Sequence, residues 1–126
     1  LYMWRDYFPN ATIYGADIDP AMMFIDDRII TVQADQTRPS DLFNMLNKVG
    51  RDVDIIIEDG THIPADQIYT CRYVVQDIKA SAYYCIEDVY GRDKVLPALE
   101  DLNPQMFCPR HRKYKDDVLL VVRGQG

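Results

Sequence analysis

The chain has 126 residues, 48% of them hydrophobic and 27% charged, with a formal net charge of −6. That length fits one domain with a core of its own, needing neither disulfide nor metal staples. The acidity excludes a general nucleic-acid binder, and no apolar run approaches the ~20 residues of a membrane helix, so neither nucleic acid nor membrane is an expected partner. No signal peptide is evident, and Cys71, Cys85 and Cys108 lack CxxC spacing. They suit buried thiols of an intracellular, cytoplasmic protein.

Leu1 to Phe8 reads as the tail of a helix, stopped by Pro9-Asn10. The chain starts at Leu rather than Met, so an N-terminally incomplete domain over 1–126 is expected. Ala11 to Ile18 predicts a first strand, broken by Asp19-Pro20, with Pro20 opening a short helix through Phe24. Arg28 to Gln33 predicts a second strand, ending at Ala34-Asp35-Gln36. Ser40 is the expected cap of a helix in which Leu42, Met45, Leu46 and Val49 share a face until Gly50. Val53 to Ile57 is a third strand. Beyond Pro64, Ile68, Cys71, Val75 and Ile78 line one side of a helix of about four turns. Ala82 to Ile86 is a fourth strand. Val95, Leu99 and Leu102 mark a helix around Pro97, and Asp117 to Arg123 a last strand. The basic stretch Arg110-His111-Arg112-Lys113 with Lys115 reads as a solvated loop, and His111 as structural or exposed. Strands alternating with helices imply an α/β, Rossmann-like, mostly parallel sheet with helices on both faces.

Acidic doublets close two of these strands. Glu58-Asp59 is followed directly by Gly60-Thr61-His62, and Glu87-Asp88 ends the fourth strand. Short apolar runs between turn signals read as strands buried on both faces, and ligands in open α/β folds lie beyond the carboxyl ends of such strands. Four carboxylates and an imidazole gathered there would resist ionisation without a compensating cation or hydrogen bonds. The set suits a hard, oxygen-loving ion such as Mg²⁺ beside a base. Acids that merely cap the following helices are the alternative. Asp17 and Asp35 close the first two strands in the same way.

In order and spacing, Tyr14-Gly15-Ala16-Asp17-Ile18-Asp19, Thr31-Val32-Gln33-Ala34-Asp35-Gln36, Ile57-Glu58-Asp59-Gly60-Thr61-His62 and Ile86-Glu87-Asp88 resemble class I S-adenosylmethionine-dependent methyltransferases. More narrowly they resemble the metal-dependent sugar O-methyltransferases of the macrocin and mycinamicin group, from about Trp4 to Tyr90. The resemblance implies S-adenosylmethionine and Mg²⁺ as cofactors and a small molecule or sugar bearing a hydroxyl as substrate. It implies that Asp17 accepts the cofactor's ribose hydroxyls, a carboxylate being the natural partner of a vicinal diol. It sets Asp35 and Gln36 at the adenine, with simple turn residues as the alternative, and Glu58 also on the cofactor side. Asp59, Glu87 and Asp88 match the metal ligands, and His62 the general base.

The family's Gly-rich turn follows a first strand that has no counterpart in this chain. That strand would lie centrally, between the strands ending at Asp17 and Asp59. Self-association is the expected cover for the gap, giving a homo-oligomer. Two rival readings remain: a hydroxylase resembling cephalosporin hydroxylase, and a non-catalytic module that keeps the fold.

Overall fold

A computed structural model describes residues 1–111, 113–114 and 117–126. Arg112 and Lys115 of the basic stretch lie outside the described residues, while Arg110, His111 and Lys113 are exposed. The chain divides into two compact units, Leu1–Gly50 and Arg51–Gly126.

In the first unit, helix α1 (Tyr2–Tyr7) precedes strands β1 (Ile13–Asp17), β2 (Ile25–Asp26) and β3 (Ile29–Gln33), then helix α2 (Pro39–Val49). The strands form a sheet of order β1-β3-β2. β1 runs parallel to β3, with Asp17 opposite Gln33, and β2 is antiparallel to it. One turn of 3₁₀ helix, Pro20–Met22, stands where the short helix through Phe24 was expected. It is capped by Asp19, whose carboxylate accepts from the Ala21 N–H at 2.9 Å. Arg28 has φ 55° and donates to the carbonyls of Phe8 and Ala11 at 3.0 Å and of Arg5 at 3.2 Å. The bonds to Arg5 and Phe8 reach carbonyls at the end of α1, and the bond to Ala11 ties down the segment that follows it. Ile29, Val32, Leu42 and Leu46 are buried between β3 and α2, each contributing about 1.5–3 kcal/mol of apolar burial. The residue capping α2 is Arg38 rather than Ser40, because Pro39 takes the first helical position.

In the second unit, β4 (Ile55–Glu58), helix α3 (Pro64–Val75), β5 (Tyr83–Ile86), helix α4 (Arg92–Ala98), β6 (Gln105–Phe107) and β7 (Leu119–Arg123) follow in order. The sheet order is β4-β5-β7-β6. β4 and β5 are parallel, whereas β7 is antiparallel to both β5 and β6. The α/β class holds, and both sheets are mixed rather than mostly parallel. β2 and β6 were not expected; two and three residues are too short to leave a periodic signal.

Alternation along the second sheet sends Tyr84, Ile86, Leu120 and Val122 into the core with Cys71, Val74, Val75, Val95 and Leu99. β4 departs from the expected two-sided burial, with Ile55 and Ile57 exposed at 47% and 36%. Among the described residues it is an edge strand, paired only with β5. Of the three cysteines, Cys71 is buried, Cys85 half-buried and Cys108 exposed, so the expectation of buried thiols fails at Cys108. No described helix is long and apolar enough to cross a membrane.

Candidate functional site

The second unit brings three of the expected residues together. β4 and β5 are adjacent and parallel, with Glu58 opposite Ile86, and the Glu87 N–H extends the ladder to the Glu58 carbonyl at 2.9 Å. Parallel neighbours lie about 4.8 Å apart, so the chain leaves both strands side by side and in the same direction. Asp59 follows the first strand and Asp88 the second. The Gly60-Thr61 turn then brings His62 back over Asp59. His62 Nε2 lies 2.9 Å from Asp59 Oδ1 and 3.9 Å from Asp88 Oδ2. One ligand atom from each of Asp59, His62 and Asp88 falls within 4.8 Å of the others.

Two of the three residues hold left-handed backbone, His62 at φ 57° and Asp88 at φ 50°. Asp and His tolerate that region better than most residues, but it is sparsely populated and frequent at ligand sites. The Thr61 hydroxyl donates to Asp66 at 2.7 Å, and the Ile63 N–H to the Thr61 Oγ1 at 3.3 Å, pinning the turn to the start of α3.

The electrostatics match the crowding. The hydrogen bond to Asp59 raises the His62 pKa above its usual value; burial opposes the shift, and attraction to Asp59, Asp88 and Glu58 adds to it. Because a carboxylate can only accept, Nε2 carries the hydrogen and Nδ1 is the basic nitrogen of the neutral ring. Burial, then repulsion from Asp59 and Asp88, raises the Glu87 pKa, while His62 opposes the shift.

Glu87 is therefore close enough to feel Asp59 and Asp88, yet its carboxylate is outside the tight group. It continues the face of Cys85, whose thiol it perturbs, while Ile86 points into the core. Glu58 turns the other way. It is 7% exposed, accepts from the Gly60 N–H at 3.4 Å, and acts electrostatically on buried Cys71 and Tyr84. The structure thus places Glu58 inward, in the core of the second unit.

In the first unit, Asp17 and Asp35 follow the parallel strands β1 and β3, whose ends are joined by the Ala34 N–H to the Asp17 carbonyl at 2.9 Å. Asp17 is exposed, and its Oδ1 accepts from the Asp19 N–H at 2.9 Å. Asp35 is heavily engaged. Its Oδ1 accepts from the Thr37 N–H at 2.9 Å and the Thr37 hydroxyl at 2.7 Å, and its Oδ2 pairs with Arg38 at 3.3 Å. The Thr37 bonds, reinforced by Arg38, hold its pKa below the usual carboxylate value. That geometry is a turn that launches α2. Gln36 beside it is half-buried.

Sequence reasoning missed Gln67. It is fully buried in the first turn of α3 and donates through Nε2 to the Glu87 carbonyl at 3.1 Å. The available signal was helical spacing: Gln67, Thr70, Cys71, Val74 and Val75 form the buried face, while Ile68 is only partly covered.

No protein-family model matches the chain. The fold is that of a methyltransferase: the MycE methyltransferase from the mycinamycin biosynthetic pathway, solved in complex with Mg and SAH, superimposes with a TM-score of 0.74 at 25% identity. The match covers 98% of this chain and 40% of that one. The same enzyme in complex with Mg, SAH and mycinamycin VI gives the same TM-score.

The chain's homologues are sugar O-methyltransferases. The 8-demethyl-8-alpha-L-rhamnosyl tetracenomycin-C 2'-O-methyltransferase of Streptomyces olivaceus is 33% identical over 74% of this chain and 27% of its own length. The mycinamicin VI 2''-O-methyltransferase of Micromonospora griseorubida is 33% identical over 71% of this chain and 22% of its own length. The demethylmacrocin O-methyltransferase of Streptomyces fradiae is 32% identical over the same shares. The chain spans about a quarter of the length of the curated relatives it matches.

Proposed function

We propose that this chain is the metal-binding and adenosine-recognising part of an S-adenosylmethionine-dependent, Mg²⁺-assisted O-methyltransferase acting on a sugar hydroxyl of a small molecule. The observation that carries the reading is the convergence of Asp59, His62 and Asp88 at the ends of two adjacent parallel strands. Homology to sugar O-methyltransferases supplies the class of reaction. Every relative named above is an O-methyltransferase, which favours methyl transfer over hydroxylation.

The residues fit the groups this reading requires. Asp59 and Asp88 offer carboxylate oxygens at one point, with Glu87 beside them, and two carboxylates completed by water suit Mg²⁺. Asp17 presents an exposed carboxylate with two acceptor oxygens, which suits a ribose diol. Asp35 is tied to Thr37 and Arg38, and Gln36 stands beside it at the strand end expected for adenine. Glu58, the remaining residue expected on the cofactor side, is 7% exposed and supports the turn through Gly60.

An aliphatic hydroxyl is a poor nucleophile at neutral pH, and a divalent ion holding it lowers its pKa. Asp59 fixes the His62 ring through Nε2, which leaves Nδ1 to accept the hydroxyl proton. Bound S-adenosylmethionine would supply the electrophilic methyl group and leave as the neutral thioether, and His62 would hold the proton released by the hydroxyl.

In the whole protein that contains this chain, His62→Ala should lower turnover by about 10²–10⁴ with Mg²⁺ and S-adenosylmethionine titrations nearly unchanged. Near-normal turnover in that variant would move the base elsewhere.

A further inference from the structure

We infer that Gln67 is a positioning residue for the acidic site: it clamps the Glu87–Asp88 turn to the helix that begins two residues after His62. The inference rests on the metal-site reading only for its effect on ion binding. The clamp itself is a matter of geometry.

Gln67 is 0% exposed, rare for an uncharged amide unless it is bonded. Its Nε2 donates to the Glu87 carbonyl at 3.1 Å, and since a carbonyl can only accept, the amide nitrogen must face it. Among the described residues its Oε1 has no partner. A buried amide with a single bond is not placed for its own stability, so that one bond is what the position provides. Glu87 immediately precedes Asp88, whose left-handed φ of 50° aims its carboxylate at His62. A strained residue keeps such a conformation when its surroundings over-determine it.

A second contact holds the same turn from its other end. Gly91 packs directly on the ring of Pro64, the first residue of α3, and a Cβ at Gly91 would collide with that ring. Between these two contacts the Tyr90 N–H closes on the Asp88 carbonyl at 3.0 Å, and the Val89 N–H reaches the Val118 carbonyl at 3.2 Å. α3 begins two residues after His62. One helix end therefore sets His62 directly, and Asp88 through Gln67 and Pro64. The two halves of the site come from segments 26 residues apart, yet they share this rigid reference. Groups that orient metal ligands in this way typically change ion affinity or activity by about 10–100-fold when lost.

The test compares Gln67→Met, nearly the same shape without the donor, with the unaltered chain. Hydrogen exchange of the 87–90 amides is read without metal, and Mn²⁺ affinity by calorimetry. The expected result is faster exchange confined to 87–90, unchanged protection of the β5 and β7 amides, and Mn²⁺ affinity lower by about 10–100-fold. Unchanged exchange at 87–90 would overturn the clamp, whatever the ion does. Faster exchange in a chain that binds no Mn²⁺ would uphold the clamp and sink the metal reading instead. If Gln67→Met does not fold, Gly91→Ala disturbs the same turn through Pro64 and should give the same local pattern; protection there equal to the unaltered chain would overturn the proposal.

Discussion

At the scale of single residues, the site is a small set of groups whose proton affinities are coupled. The His62 pKa lies above its ordinary value of 6.5, chiefly through the Asp59 hydrogen bond, and the Glu87 pKa above 4.5, chiefly through burial. Both groups bind protons more tightly folded than unfolded. The stability they contribute is therefore present at low pH and lost as pH rises, from near 4.5 upward for Glu87 and from near 6.5 upward for His62. His62 is 38% exposed, so solvent screening keeps its share small. A bound divalent ion reverses the balance, because it requires the deprotonated carboxylates. Thermal melts should show Mg²⁺ raising Tm more at about pH 8 than at about pH 5.5. An equal gain at both would mean the ion acts elsewhere. The acidic doublets and the Gly-Thr-His turn were legible because their chemistry is carried by residue type. The resemblance already set Asp59 apart from Glu58; that Asp88 joins the cluster and Glu87 stands outside it was not legible, since that depends on strand alternation and on the positive φ of Asp88. Gln67 was illegible for a related reason: polarity argues for solvent, and only the packing of α3 on the core shows otherwise.

Among the elements, the apolar runs and helical spacings marked β1, β3, β4, β5, β7 and the four helices to within a few residues. Sheet direction was not readable. β7 runs antiparallel because it enters from β6, a strand of three residues with no periodic signature. Four edge strands among the described residues follow from this topology, β1 and β2 in one sheet and β4 and β6 in the other. Among the described residues β1 pairs only with β3, and β4 only with β5. β4 combines an open edge with exposed Ile55 and Ile57, a pattern that favours strand pairing between molecules. The chain is accordingly expected to self-associate. Light scattering should show a weight-average mass that rises with concentration and falls back toward the monomer for Ile57→Lys. A monomer at every concentration would remove β4 as the contact.

For the molecule as a whole, the proposed reading divides the site between the two compact units, Asp17 and Gln36 belonging to the first and the cluster of Asp59, His62 and Asp88 to the second. The chain covers about a quarter of its sugar O-methyltransferase relatives, so ion binding by the second unit is the most direct measurement this chain allows. Mn²⁺ should be titrated into isotopically labelled protein and followed by paramagnetic broadening of its amide signals. One ion per chain is expected, with broadening centred on residues 58–62 and 87–89 and lost in Asp59→Asn. Broadening absent there, or centred instead on the exposed carboxylates of Asp52 and Asp54, would contradict a divalent-ion site at the ends of β4 and β5.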